Sequence, residues 1–124
     1  MLDRDDVDQL ERLITKLPEL LPEQAPSLIH GDLWQGNVHC NASGKPVLID
    51  PACYWGWREA DIAMTRLFSP LPDAFYQHYN QLMPMENGWK QRMPIYNVYH
   101  LLNHLNLFGK SYLSEIRQIV RRFT

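Results

Sequence analysis

The sequence predicts an α+β fold, mainly α, with a small β-hairpin before its midpoint. Three observations carry this expectation. Apolar residues recur at helical spacing ahead of residue 18 and again beyond residue 59. Two short runs, Val38-His39-Cys40 and Val47-Leu48-Ile49, flank the turn-forming stretch Asn41-Ala42-Ser43-Gly44. A chain of 124 residues, 45% hydrophobic and 21% charged, is one domain by length and long enough to bury a core.

Val7, Leu10, Leu13, Ile14 and Leu17 define the first helix, with Asp3 or Asp6 as its cap and Pro18 as its stop. A connector punctuated by prolines runs from Pro18 to Pro26. Ser27-Leu28-Ile29 then reads as a short buried strand leading into His30, and the hairpin follows. After Asp50 the chain is expected to be helical. Ala60, Ala63, Met64, Leu67 and Phe68 share one apolar stripe. Pro72 suits the first position of the next helix, with Phe75, Tyr76, Tyr79, Leu82 and Met83 turned inward. Pro94 to Phe108 is apolar nearly all round, which predicts a helix buried at the centre and ended or kinked by Gly109. Tyr112, Leu113, Ile116, Ile119, Val120 and Phe123 mark a last amphipathic helix.

Composition narrows the partners. A formal charge of −2 excludes a broadly basic face for nucleic acid. Arg117, Arg121 and Arg122 suit the negative end of a helix. Cys40 and Cys53 supply no disulfide framework and no CxxC pair, so a reduced, cytoplasmic setting is expected. The polar start, Met1-Leu2-Asp3-Arg4-Asp5-Asp6, lacks the basic head and apolar run of a signal peptide. No apolar stretch has membrane-spanning length, so no membrane partner is expected.

The chemistry is concentrated in His30-Gly31-Asp32-Leu33-Trp34-Gln35-Gly36-Asn37 and in Asp50, at the end of Val47-Leu48-Ile49. Phosphoryl transfer needs an acid to orient a hydroxyl and oxygen ligands to hold Mg²⁺ against a nucleotide. Asp32 is the candidate base. Asn37 offers a neutral amide oxygen to the metal, and Asp50 a charged one. His30 is read as holding the loop. A lone Gly-Asp, or an Asn after Gly, is commonly turn chemistry. The joint spacing is sharper, and it points to a kinase that uses ATP.

His30 to Asn37 resembles the catalytic loop of the aminoglycoside phosphotransferase-like kinases. The longer set, H-G-D-L-W-Q-G-N, I-D-P-A-C-Y-W-G-W-R-E-A-D-I-A-M and Y-H-L-L-N-H-L-N-L-F-G, is similar to one branch of them, the fructosamine or ketosamine-3-kinases. The resemblance covers Pro26 to the C-terminus. It implies a protein-kinase-like C-terminal lobe whose hairpin carries the catalytic and metal-binding loop. It also implies phosphorylation of the C3 hydroxyl of a ketosamine, on a small molecule or a glycated protein, which leads to deglycation. In that frame Asp32 matches the catalytic base, Asn37 and Asp50 the Mg²⁺ ligands, and Asp61 an acid that braces the loop. Asp61 is equally readable as the N-cap of a helix over 62–68. Trp34 is placed to stack on a sugar or to pack within its loop. His104, by similarity, borders the substrate pocket, and a satisfied buried histidine is its other reading. Trp57 stands where a smaller polar residue is expected.

The sequence holds no glycine-rich phosphate loop and no strand lysine, since Lys16, Lys45, Lys90 and Lys110 lie in no such context. The expectation is therefore a catalytic lobe without its N-terminal, ATP-grasping lobe, and poorly active alone. Two alternatives stand beside it. One is a non-catalytic interaction module, or one half of a split kinase. The other is metal-dependent hydrolysis through His30, Asp32, His39 and Asp50, a set without a recognised ligand spacing. His100 and His104 share a helix face but have no third zinc ligand in view.

Overall fold

The computed structural model describes residues 1–124. Five α-helices and four three-residue strands follow one another in the order α1 (Arg4–Leu20), β1 (Ser27–Ile29), β2 (Val38–Cys40), β3 (Pro46–Leu48), β4 (Tyr54–Gly56), α2 (Arg58–Met64), α3 (Asp73–Leu82), α4 (Trp89–Phe108) and α5 (Leu113–Phe123). The architecture is helix-rich α+β with two small antiparallel sheets. It divides into two compact units: residues 1–23 with 94–124, and residues 24–93.

In the first unit, α1 begins with a reciprocal cap. The Asp3 carboxylate accepts from the Asp6 N–H, and the Asp6 carboxylate accepts from the Asp3 N–H, both at 2.9 Å. The helix does not stop at Pro18. It runs to Leu20, because a proline near the end removes only one hydrogen bond. The stop is Leu21, held extended at φ −109° and ψ 124° by the ring of Pro22 behind it. Leu13 is buried, whereas Val7 and Ile14 face outward at 42% and 62% exposure.

Asp6 is tied to α5 as well as to its own helix. Arg117 donates to both Asp6 oxygens, at 2.6 and 2.9 Å, and to Asp3 at 2.8 Å. The Arg117 guanidinium holds the Asp6 carboxyl down at about 2. Leu113, Ile116 and Val120 of α5 and Leu101 and Leu105 of α4 are buried in this unit. The expected central helix is thus only partly borne out. Tyr99, Leu107 and Phe108 are mostly exposed, so α4 buries one face and not its whole circumference. Gly109, at φ +96°, ends it as expected. Pro94 lies inside α4 and does not begin it. The helix starts five residues earlier, at Trp89.

In the second unit, β2 and β3 form the expected hairpin, with Val38 opposite Leu48 and Cys40 opposite Pro46. The Asn41 side chain closes the turn by accepting from the Ser43 and Lys45 N–H groups. The chain after Asp50 is not immediately helical. Tyr54-Trp55-Gly56 pairs antiparallel with Ser27–Ile29. Three residues are too few to print an alternating pattern, and the pairing is non-local. The expected buried strand is one-sided: Ile29 is buried and Leu28 is 62% exposed.

α2 starts at Arg58, capped by Trp57, so Asp61 lies inside the helix and is not its N-cap. The helix ends before Leu67 and Phe68, and Phe68 is exposed. Pro72 precedes α3 as its cap, so the helix begins one residue later than expected. Glu59 is 1% exposed and meets Arg92 in a two-pronged ion pair, Nε to Oε2 at 2.7 Å and Nη2 to Oε1 at 2.5 Å. Arg92 also donates to the Asn87 and Glu86 carbonyls. A pair this buried is stabilising only while complete; removing one partner strands the other at a cost of about 3–5 kcal/mol.

The Asp6–Arg117 geometry sets an acid sensitivity. The folded pKa lies below the ordinary carboxylate value, so this contribution is complete above about pH 4 and is lost as pH falls from about 4 towards 2. Because Arg117 is partly solvated, the expected size is about 1 kcal/mol. Urea denaturation at pH 7 is expected to show Asp6→Asn less stable than wild type by that amount. The gap should narrow through the same acidic window.

Candidate functional site

The polar loop begins where β1 ends. Ile29 and Leu33 are buried and anchor its two sides, and between them the backbone turns through Gly31 at φ +83°. Only glycine fits there. The conformation is left-handed, and a Cβ would run into the Ala52 carbonyl. The Ala52 N–H donates to the His30 carbonyl at 2.8 Å, so the segment after Asp50 lies across the turn.

Asp61, from α2, accepts from the backbone N–H groups of both His30, at 2.7 Å, and Gly31, at 2.9 Å. Each carboxylate oxygen takes one donor. Charge-assisted bonds of this kind are about twice as strong as neutral ones. The His30 ring completes the frame. Its Nδ1 accepts from the Asp32 N–H at 3.2 Å, so Nε2 carries the proton and donates to the Ile49 carbonyl at 2.8 Å. With both ring nitrogens engaged, His30 has no lone pair left for proton transfer.

Asp32 and Asn37 are brought together. The buried Asn37 amide donates from Nδ2 to the Asp32 carbonyl at 2.8 Å and to the Asp32 carboxylate at 3.3 Å. That fixes which end of the amide faces Asp32, and Oδ1 is the end available to a cation. Gln35–Asn37 form a short 3₁₀ turn, and the Ile49 N–H donates to the Asn37 carbonyl at 3.0 Å. Asp50 therefore sits between two fastened residues, Ile49 and Ala52. It is exposed and has φ +50°, a left-handed conformation that Asp tolerates better than most.

The Asn37 amide oxygen and the Asp50 carboxylate are each donors of the kind that a hard cation such as Mg²⁺ takes. No group of three or more His, Cys, Asp and Glu is arranged to hold a metal ion. Of the set His30, Asp32, His39 and Asp50, His39 bonds the Gly36 carbonyl and His30 the Ile49 carbonyl. Trp34 folds back so that its ring fills the space a Cβ on Gly36 would take, and its edge meets Phe68 at 6.2 Å between centroids. It remains 39% exposed. His104 belongs to the other compact unit. Its Nδ1 lies 2.8 Å from the His100 carbonyl, and its ring contacts Phe108 and Tyr112.

Against known proteins, the fructosamine kinase family model matches residues 3–124. The chain belongs to the fructosamine kinase family. A probable ketoamine kinase of Vibrio parahaemolyticus is 49% identical over 98% of this chain, and one from Synechocystis is 46% identical over 89%. The crystal structure of a candidate fructosamine-3-kinase from Thermobifida fusca superposes with a TM-score of 0.89 at 38% identity, covering 97% of this chain. The match spans 41% and 38% of the two ketoamine kinases and 42% of the Thermobifida fusca chain, so these 124 residues cover about two-fifths of a family member. The family is one of kinases, and its members take ATP as co-substrate. No helix of the chain is long and apolar enough to cross a membrane.

Sequence reasoning missed three parts of the loop's support. The Ile49 carbonyl and the Ala52 backbone act through main-chain atoms, which no residue pattern encodes. Tyr54 stands out in the sequence as part of the resemblance, but its strand and its place beside Gly31 do not. The Asp61 bonds set a measurable expectation. Asp61→Ala removes the acceptor of two partly buried N–H groups and is expected to cost about 2–3 kcal/mol. Hydrogen exchange should quicken at the His30 and Gly31 amides by more than at Leu101, in the other unit.

Proposed function

We propose that these residues form the C-terminal, catalytic lobe of an ATP-dependent ketosamine kinase. In this reading the phosphate-covering lobe lies outside these 124 residues. The single observation that carries the reading is the Asp32–Asn37 pair, held on a loop that Asp61 and His30 brace. Asp32 orients the C3 hydroxyl of a fructosamine-like substrate, free or on a glycated protein. As the oxygen–phosphorus bond to substrate forms and the bond to ADP breaks, Asp32 accepts the hydroxyl proton. Asn37 through Oδ1 and Asp50 through its carboxylate are the residues to hold Mg²⁺, which supplies charge neutralisation on the phosphates. His30 and Asp61 position the loop, and Trp34, 39% exposed, is the aromatic residue available to a sugar. His104 lies in the first unit, and its reading as a substrate contact rests on the family resemblance alone. The coverage of about two-fifths supports the lobe assignment, as does the absence of a strand lysine from these residues.

The test is phosphorus NMR of the chain with ATP, Mg²⁺ and a fructosyl-amine. Slow formation of the 3-phosphate is expected, since the lysine and phosphate cover that stabilise the transferring group are not among these residues. Asp32→Asn should lower that rate by about a hundredfold or more. Fast turnover by the chain alone would sink the lobe assignment. Turnover unaffected by Asp32→Asn would sink the catalytic one.

The second reading, an interaction module, draws on a different feature. Within the 24–93 unit an apolar groove of about 550 Å³ is lined by Leu28, Leu33, Leu48, Ile62, Phe75 and Met83. Leu28, Leu48 and Met83 are 62%, 54% and 53% exposed. Open apolar surface of this kind marks association sites. Light scattering across a concentration series tests it. Association that Leu48→Asp abolishes supports the module reading, and a monomer at every concentration counts against it.

A further inference from the structure

A second cavity of the 24–93 unit takes no part in the loop's chemistry. It holds about 320 Å³ between the turn after α2, α3 and the start of α4. Ligand sites begin at about that size, roughly 300 Å³. Its wall is aromatic. The Tyr76 and Trp89 rings lie 6.4 Å apart between centroids and 31° from parallel. Tyr76 is buried and fixed, since its hydroxyl sits 2.9 Å from the Thr65 hydroxyl and accepts from the Leu71 N–H at 3.1 Å.

A cation rests against each ring. The Arg66 guanidinium carbon is 4.9 Å from the Tyr76 centroid, and the Lys90 ammonium is 5.5 Å from that of Trp89. Neither forms an ion pair; those of the chain belong to Arg92 and Arg117. Ring contact consumes no N–H, so both keep their donors for an anion while their side chains are already placed. Asp73 lines the same cavity from the first residue of α3, where the positive end of the helix favours a carboxylate. It too forms no ion pair. Asn80 spends its Oδ1 on the Met85 N–H at 2.8 Å, which leaves its own N–H groups for the cavity. Opposite charges thus share one small cavity without meeting.

That separation selects the ligand. A simple anion would still face Asp73, and a simple cation would face Arg66 and Lys90. A molecule with both charges a few bonds apart satisfies both sides, and a flat remainder finds the aromatic wall. We propose that this cavity binds a free α-amino acid, with its carboxylate on Arg66 and Lys90, its ammonium on Asp73 and its side chain against Trp89. The site shares no residue with the Asp32–Asn37 loop and stands whether or not that loop transfers phosphate.

The experiment is an NMR titration of the chain at low salt, read at the Trp89 indole N–H. The probes are L-phenylalanine, N-acetyl-L-phenylalanine, which lacks the ammonium, and L-phenylalaninamide, which lacks the carboxylate. Phenylalanine is expected to bind, and each half-charged analogue to bind about fivefold more weakly, as the loss of one part-solvated charge contact implies. Arg66→Gln combined with Lys90→Gln should abolish phenylalanine binding. Asp73→Asn should bring phenylalanine down to the level of its N-acetyl form. All three positions are exposed, so these variants should keep the wild-type spectrum elsewhere. Equal binding of phenylalanine and its N-acetyl form by wild type overturns the proposal. So does phenylalanine binding that survives loss of both cations, or a Trp89 signal that moves with none of the probes.

Discussion

The Asp61 carboxylate, bonded to the N–H groups of His30 and Gly31, is the constraint from which the rest of the site follows. Backbone donors in a tight left-handed turn cannot be satisfied by their own neighbours. Left unpaired in a half-buried place, each would cost on the order of 1–3 kcal/mol. A helix-borne carboxylate solves this and fixes the turn to a rigid element. Once the turn is fixed, the His30 ring is set by its bond to the Asp32 N–H, and Asp32 is aimed. The amide of Asn37 then has one way to lie. The loop residues proposed for chemistry are thus placed by a carboxylate with no proposed chemical role.

The second unit carries this precision on little regular structure. Four strands of three residues and a seven-residue helix offer few ladder bonds. Side chain to backbone bonds take their place: Asp61 to the turn, His30 to Ile49, Asn41 to the hairpin, Arg58 to the Met83 and Pro84 carbonyls. The buried Glu59–Arg92 pair extends the same logic. It joins α2, which bears Asp61, to the first turn of α4 through a charge that neither partner can abandon. Precision at the candidate site comes from charged and polar fasteners more than from a large apolar core.

Where the sequence was legible, the reason was local chemistry. Asp32, Asn37 and Asp50 stand out because glycine, amide and carboxylate at fixed spacing on a loop have few bland explanations together. The hairpin was legible because Asn41 to Gly44 can do little but turn. The helices were legible by period, but their ends were not. Pro18 misled because a proline tolerated in a last turn looks the same in sequence as one that breaks a helix. Asp61 was ambiguous for a related reason. A carboxylate at a helix start serves as a cap or as a distant acceptor, and only the position of Trp57 as the actual cap separates the two. β4 was invisible because three residues carry no period and their partner lies far back in the chain.

That distance has its own consequence. Asp61 reaches His30 across 31 residues and Tyr54 reaches Ile29 across a comparable span, so the loop is closed by chain segments that must first find each other. Bringing the ends of a thirty-residue segment together costs roughly 3 kcal/mol in chain entropy, before any constant term. The turn bearing Asp32 cannot be preformed in a short peptide or in an emerging chain that stops at Asp50. The geometry of the turn is complete only with α2 docked, since Asp61 comes from that helix.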